Sequence, residues 1–175
     1  EIATPPTVRL TDILVDASYL INIPIMKPHG GTSISLAFKN HFGSIADVHP
    51  LHDWVYGCPY GATYSPLVDI YRNPHIVGKT VLTIGDGLFA SRGDNQSKPA
   101  PWSTFGNEAP NSLFFATDPV AVDCVMYDFL QAERYIDPSD DGYLVYAAAV
   151  GLGVYERGDP RGGGYRQIEY VPIEI

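Results

Sequence analysis

The sequence predicts an α/β fold, with a mostly parallel or mixed sheet covered by helices and long irregular loops. Three observations point to it. Compact apolar runs at 19–24 and 79–84 stop abruptly at prolines or glycines, as buried strands do. Elsewhere the apolar residues change to helical spacing, most clearly at Val122, Val125, Met126, Phe129 and Leu130. The chain also carries 17 Gly, 15 Pro and 12 Tyr, which assigns much of it to ordered turns and loops.

In chain order, Leu20, Ile21 and Ile23 form the first strand, closed by Pro24, Pro28, Gly30 and Gly31. From Ser33 a helix is expected, with Ile34, Ala37, Phe38, His41, Phe42 and Ile45 on one face, Thr32 or Ser33 as cap and Gly43 as its limit. Residues 46–63 follow neither period and read as an aromatic-rich loop. A short helix over 64–71 ends at Asn73-Pro74, and a strand over 79–84 stops at Gly85-Asp86-Gly87. Residues 87–111 form a long aperiodic stretch suited to a lid, an insertion or a binding loop. A strand follows at 112–116. Asp118-Pro119 is a strong helix start, because Asp caps and Pro fits the first helical position. A further helix over 143–150 and a final strand over 167–173 complete the series. Neither an internal repeat nor a linker divides 1–175, so one domain is expected, and antiparallel pairing of the last strand is left open.

Composition restricts the function classes. With 45% hydrophobic residues the chain can bury a core without staples. A formal net charge of −9 argues against phosphate backbones and anionic membrane surfaces as partners, since both require clustered Lys and Arg. The longest apolar runs fall well short of the roughly 18–20 residues that cross a bilayer, so an acidic, soluble protein with no membrane span is expected. Cys58 and Cys124 alone can neither build a four-cysteine zinc site nor hold an iron–sulfur cluster. Cys124 falls in an apolar helical run and reads as a small free hydrophobe rather than half of a disulfide with Cys58. The chain begins at Glu1, without an initiator Met or a signal-peptide core, which reads as a processed or truncated product and leaves both a cytoplasmic and an extracytoplasmic location open.

Polar residues collect where three expected strands end: 27–33, Asp86-Gly87 and Thr117-Asp118. If the strands are parallel these clusters meet, and ligands of open α/β sheets sit beyond such strand ends. The first cluster has the parts of an anion cradle: Gly30-Gly31, the hydroxyls of Thr32 and Ser33, a helix N-terminus, and Lys27 with His29 nearby. It is neither a Walker loop nor a dinucleotide fingerprint. Asp123 sits beside an apolar stripe, where a carboxylate requires a partner. Asp86 and Asp123, with His29, offer oxygen and imidazole ligands to a divalent metal, although the set has no diagnostic spacing. His41 shares a face with Ile34, Phe38 and Ile45 and reads as a core histidine, while Lys39 points elsewhere into solvent. The cluster His49-Pro50-Leu51-His52-Asp53 reads as a polar loop, and Arg157-Gly158-Asp159 as a turn rather than an adhesion signal. No nucleophile elbow occurs, and neither cysteine has a nucleophile's flanking signature.

The string Leu20-Ile21-Asn22-Ile23-Pro24-Ile25-Met26-Lys27-Pro28-His29 and the later Ser35-Leu36-Ala37-Phe38-Lys39-Asn40-His41-Phe42-Gly43 resemble the core of the domain of unknown function 362 family. The resemblance continues through Asp69-Ile70-Tyr71-Arg72-Asn73-Pro74, Leu82-Thr83-Ile84-Gly85-Asp86-Gly87-Leu88 and Asp118-Pro119-Val120-Ala121-Val122-Asp123, and reaches Gly151-Leu152-Gly153-Val154-Tyr155. It implies that the chain is similar to the C-terminal part of a longer protein. Some relatives carry export signals or ferredoxin-type cysteine segments, neither of which is present here. The matching polar positions are Lys27, His29, Lys39, Asn40, Asp86, Asp118 and Asp123, and the resemblance defines no role for them.

Two functions are therefore expected as alternatives. In the first, an enzyme-like domain binds a small anionic ligand through Lys27 and His29 at the strand ends, with Asp86 and Asp123 as acid/base groups or metal ligands. In the second, a non-catalytic module presents Trp54, Tyr56, Tyr60 and Trp102 to a protein partner or a second copy of itself. Lys, His and Asp at three strand ends favour the first.

Overall fold

The computed structural model describes residues 7–29, 33–52, 63–91, 98–133 and 141–175. A three-stranded sheet has the order β1 (Leu20–Asn22), β4 (Thr80–Gly87), β5 (Ser112–Ala116), with β1 parallel and β5 antiparallel to β4. A separate antiparallel pair joins β2 (Lys27–His29) to β3 (Ser33–Ser35). Around them stand α1 (Asp12–Asp16), α2 (Ala37–Asn40), α3 (Pro66–Tyr71), α4 (Pro74–Val77), α5 (Pro119–Ala132) and α6 (Gly142–Ala149). The architecture is the expected mixed sheet with helices and long irregular connections. Among the described residues, no helix is long and apolar enough to cross a membrane.

The sheet and helices share one core. Asn22, Met26, Thr83 and Phe114 are buried on the inner face of the sheet. Val120, Cys124, Met126, Tyr127 and Leu130 of α5 and Leu144 of α6 pack in the same core, together with Phe38 and Tyr71. Strand β4 runs through Gly85-Asp86-Gly87, where the sequence predicts a stop. Its inner positions there face Met126, Met26 and Phe114 so closely that any side chain would have to displace them. A Cβ on Gly85 would meet the Met126 thioether and lie 3.2 Å from Phe114 Cβ. Replacing Gly85 by Val is therefore expected to destabilise the fold by about 1–3 kcal/mol, the usual cost of overpacking, read as a lower denaturation midpoint with an unchanged slope.

Helix α5 matches its sequence signature: Asp118 Oδ1 accepts the N–H groups of Val120 and Ala121, both at 2.8 Å, and Pro119 occupies the first turn. The other Asp118 oxygen accepts Val154 N–H at 2.8 Å and ties the later chain to this helix start. Asn73 caps α4 through the His75 N–H.

Three further features differ from expectation. Residues 33–35 are a strand, not a helical turn, and α2 begins only at Ala37, because Lys27–His29 lies alongside and supplies ladder partners. Residues 167–173 form no strand: the N–H groups of Arg166, Gln167 and Ile168 are taken by the Glu156 carboxylate at 2.6–3.0 Å instead of by a neighbouring strand. Trp102, expected on an exposed aromatic surface, is fully buried and edge-on to Phe105. The 3₁₀ turn that follows it, Ser103–Phe105, is capped by Glu133, whose oxygens accept the Ser103 and Thr104 N–H groups at 2.7 and 2.8 Å. Trp54, Tyr56, Tyr60 and Cys58 lie outside the described residues, and Cys124 is a free, buried thiol.

Candidate functional site

Hairpin β2–β3 carries Lys27 opposite Ser35 and His29 opposite Ser33. Directly paired residues project to the same side, so Lys27 and Ser35 share one face. Helix α2 and the 3₁₀ turn His41–Ser44 then bring Lys39, Asn40, Phe42 and Gly43 to that hairpin. Together with Lys27, His29, Ser35 and Val48 they line an open cleft of about 330 Å³. Among the described residues, no carboxylate lines it. Asn40 is fixed by its amide, which donates to Asn22 Oδ1 at 2.8 Å, while Asn22 donates to the Ala37 carbonyl at 3.0 Å and so pins α2 to β1.

Lys39 is half-buried, with its ammonium 3.6 Å from the centre of the Phe42 ring. Burial, and then the charge of Lys27, bring its pKa down to about 8. The side chain expected in solvent therefore belongs to the cleft: the expected apolar face of this segment is buried, and the hairpin β2–β3 stands beside Lys39 where the sequence suggested open solvent.

The remaining site candidates do not converge on this cleft. Asp123 is wholly buried and both of its oxygens are engaged: Oδ1 accepts the Ala37 N–H at 2.8 Å and Oδ2 the Phe38 N–H at 3.3 Å. Its burial pushes the carboxyl pKa up to about 8 against the pull of those two amides. The residue at the N-cap of α2 is Leu36, which has no side-chain acceptor, so Asp123 supplies the cap from another helix. The acceptor at this helix start is thus the protein's own carboxyl group. Asp86 is half-buried on β4 and its Oδ1 accepts the Leu88 N–H at 3.0 Å, a local turn contact. Asp118 lies toward the opposite end of the sheet from Asp86, since β5 runs antiparallel to β4. The three strand-end clusters therefore do not meet.

Among the described residues, no group of three His, Cys, Asp or Glu side chains is placed to hold a metal ion, so His29, Asp86 and Asp123 do not form such a set. Ser33 lies on β3 rather than at a helix start, and Gly30, Gly31 and Thr32 lie outside the described residues. His41 is a core histidine: it is buried, stands edge-on to Tyr71, and has its pKa lowered to about 4 by burial. His49 is exposed and bonds Asp47 at 3.1 Å, with His52 in ring contact and Asp53 outside the described residues. Arg157 is no adhesion residue, because its guanidinium is tied to Asp128 and Asp141.

Sequence reasoning missed Ser35, Phe42, Gly43 and Val48, and placed Lys39 in solvent. A signal for the hairpin was present: Lys27-Pro28-His29 and Ser33-Ile34-Ser35 flank a Gly-Gly pair, the arrangement of two strands around a tight connection.

A mixed α/β fold with a basic cleft beside a small hairpin is the class these features define. The sequence profile of the family described as Domain of unknown function (DUF362) matches residues 2–128, and the chain belongs to that family. The matched stretch includes the hairpin, α2, β4, β5 and Asp123, and stops before Gly151–Tyr155. No curated protein and no solved structure matches.

Proposed function

We propose that this chain binds a small oxyanion, a carboxylate or phosphate group, in the cleft between β2–β3 and α2. One observation carries the reading. A chain with a net charge of −9 gathers Lys27, His29 and Lys39 around a cleft that no acid lines among the described residues. Two ammonium groups close enough for one to depress the other's pKa repel each other, and a bound anion offsets that repulsion. Ser35 and Asn40 add neutral polar groups, and Phe42 and Val48 add apolar wall suited to the carbon part of a ligand. Lys39, with its amine near a pKa of 8, also suits proton exchange with such a ligand close to neutral pH.

Calorimetric titration of the intact chain with inorganic phosphate and, separately, acetate tests the reading. Saturable binding of either is expected, weakened about tenfold or more in Lys27→Met and Lys39→Met, since a charge-assisted hydrogen bond contributes about 1.5–3 kcal/mol. Affinity is expected to fall as pH rises through about 8, where Lys39 loses its proton, with proton uptake on binding in that range. Equal heats from wild type and both variants would remove the cleft from consideration. The alternative of an aromatic partner surface loses Trp102 to the core.

A further inference from the structure

The outer face of the three-stranded sheet is apolar across all three strands. Ile21 pairs with Leu82, and Ile84 pairs with Phe115, so these four side chains share the side opposite the helices. Leu113, paired with Asp86, and Ile25, bridged to Asp86, lie on the same side. Ile21, Ile23, Ile25, Leu113 and Phe115 remain 47–63% exposed there. Their inward neighbours Asn22, Met26, Thr83 and Phe114 are buried, so the sheet is covered on one face only. A parallel strand pair such as β1–β4 is ordinarily covered on both faces.

We propose that this face is a self-association surface, on which a second copy of the chain packs its own sheet face to face. Such sheets stack about 10 Å apart with strands roughly aligned. The exposed apolar area is on the order of 600 Å², at the upper end of what monomers leave open. Two copies meeting there would bury about 1,200 Å² in all, the lower bound for a stable interface. Apart from Asp86, which stands on this face between Ile25 and Leu113 with one carboxylate oxygen engaged by the Leu88 N–H, the patch is built of aliphatic and aromatic side chains. The side chains that the described strands place on this face are apolar but for Asp86, and apolar surface complements itself across a two-fold axis. This surface is distinct from the cleft, so the two readings stand or fall separately.

Sedimentation equilibrium of the intact chain over a hundredfold range of micromolar concentrations tests the proposal. The expected result is a reversible dimer of twice 19.1 kDa. Phe115→Lys and Ile21→Lys are each expected to weaken dimerisation at least tenfold while leaving far-ultraviolet dichroism and the melting of the monomer intact. Ile13→Lys, on α1 and 78% exposed, is expected to dimerise as wild type does. A wild-type chain that stays monomeric throughout overturns the proposal, as it would if some other segment or partner covers the face. A dimer that both sheet variants leave unchanged overturns it equally, by locating the contact elsewhere.

Discussion

Replacing Arg157 by Ala is expected to cost about 3–5 kcal/mol, a large fraction of the stability of a domain this size. The guanidinium bonds Asp128 Oδ1 and Asp141 Oδ2, each at 2.6 Å, and also reaches the Gln131 side-chain carbonyl. The Asp128 side chain is 4% exposed and that of Asp141 0%. Around this centre the Tyr165 hydroxyl donates to Asp128 and the Tyr155 hydroxyl to Asp141, both at 2.9 Å, and the guanidinium lies 4.0 Å over the Tyr127 ring. Truncation leaves two carboxylates in a dry site without their cation, which costs far more than the intact pair contributes. The effect also exceeds that of an exposed pair such as His49–Asp47. Burial already raises the Asp128 pKa despite Arg157, so the variant is expected to recover part of its loss at low pH, where the Asp128 carboxyl takes up a proton. Urea denaturation at pH 7 and pH 4.5 measures both effects. A cost below about 1 kcal/mol at pH 7, the range of surface pairs, would show that water reaches this cluster.

The second large effect belongs to Asp123. Asp123→Ala orphans the Ala37 and Phe38 amides inside the core, and each buried unsatisfied donor costs about 1–3 kcal/mol. Asp123→Asn keeps an oxygen acceptor and separates hydrogen bonding from titration. The folded pKa of about 8 stands above the ordinary value of 3.8 because of burial. Between those two values the native chain holds a proton that the unfolded chain has released, so stability falls as pH rises from about 4 to about 8 and levels off above. Removing the titrating group removes this slope. Asp123→Asn is thus expected to gain stability relative to wild type as pH rises from about 4 to about 8. Asp128 adds a slope of the same sign in both proteins, and the difference between their denaturation midpoints isolates Asp123. A difference independent of pH would mean that the carboxyl is ionised throughout, held by its two amides.

Asp123 belongs to a wider pattern. Asp118, Asp123, Glu133 and Glu156 each accept backbone N–H groups from a distant part of the chain. A chain rich in turns leaves many backbone donors without ladder partners, and buried donors require acceptors. Several acidic side chains are therefore structural acceptors, and among the described residues none lines the cleft around Lys27 and Lys39.

Much of this was legible from local pattern. The Asp118-Pro119 start and the stripe from Val122 to Leu130 specify α5, and the apolar run through Val81 and Leu82 specifies β4, because both signals lie within one element. Family membership was equally legible, since Lys27, Lys39, Asn40 and Asp123 occur in strings that can be read without a fold. The unmet partner requirement of Asp123 was visible too, but not its identity.

What the sequence by itself determined was the type of most elements, the core stripe of α5, the need for a partner at Asp123, and the presence of basic groups after the first strand. Only the tertiary structure decided that β5 is antiparallel, that residues 33–35 form a strand with 27–29, that Lys39 enters the cleft, and that Asp123 caps α2 rather than meeting His29 or Asp86. The physical reason is range. Periodicity and capping act over one or two turns of chain, whereas strand direction and long-range caps depend on which distant donors a folded core leaves unsatisfied. Ala37 and Asp123 are 86 residues apart, and only packing α2 against α5 makes one the answer to the other.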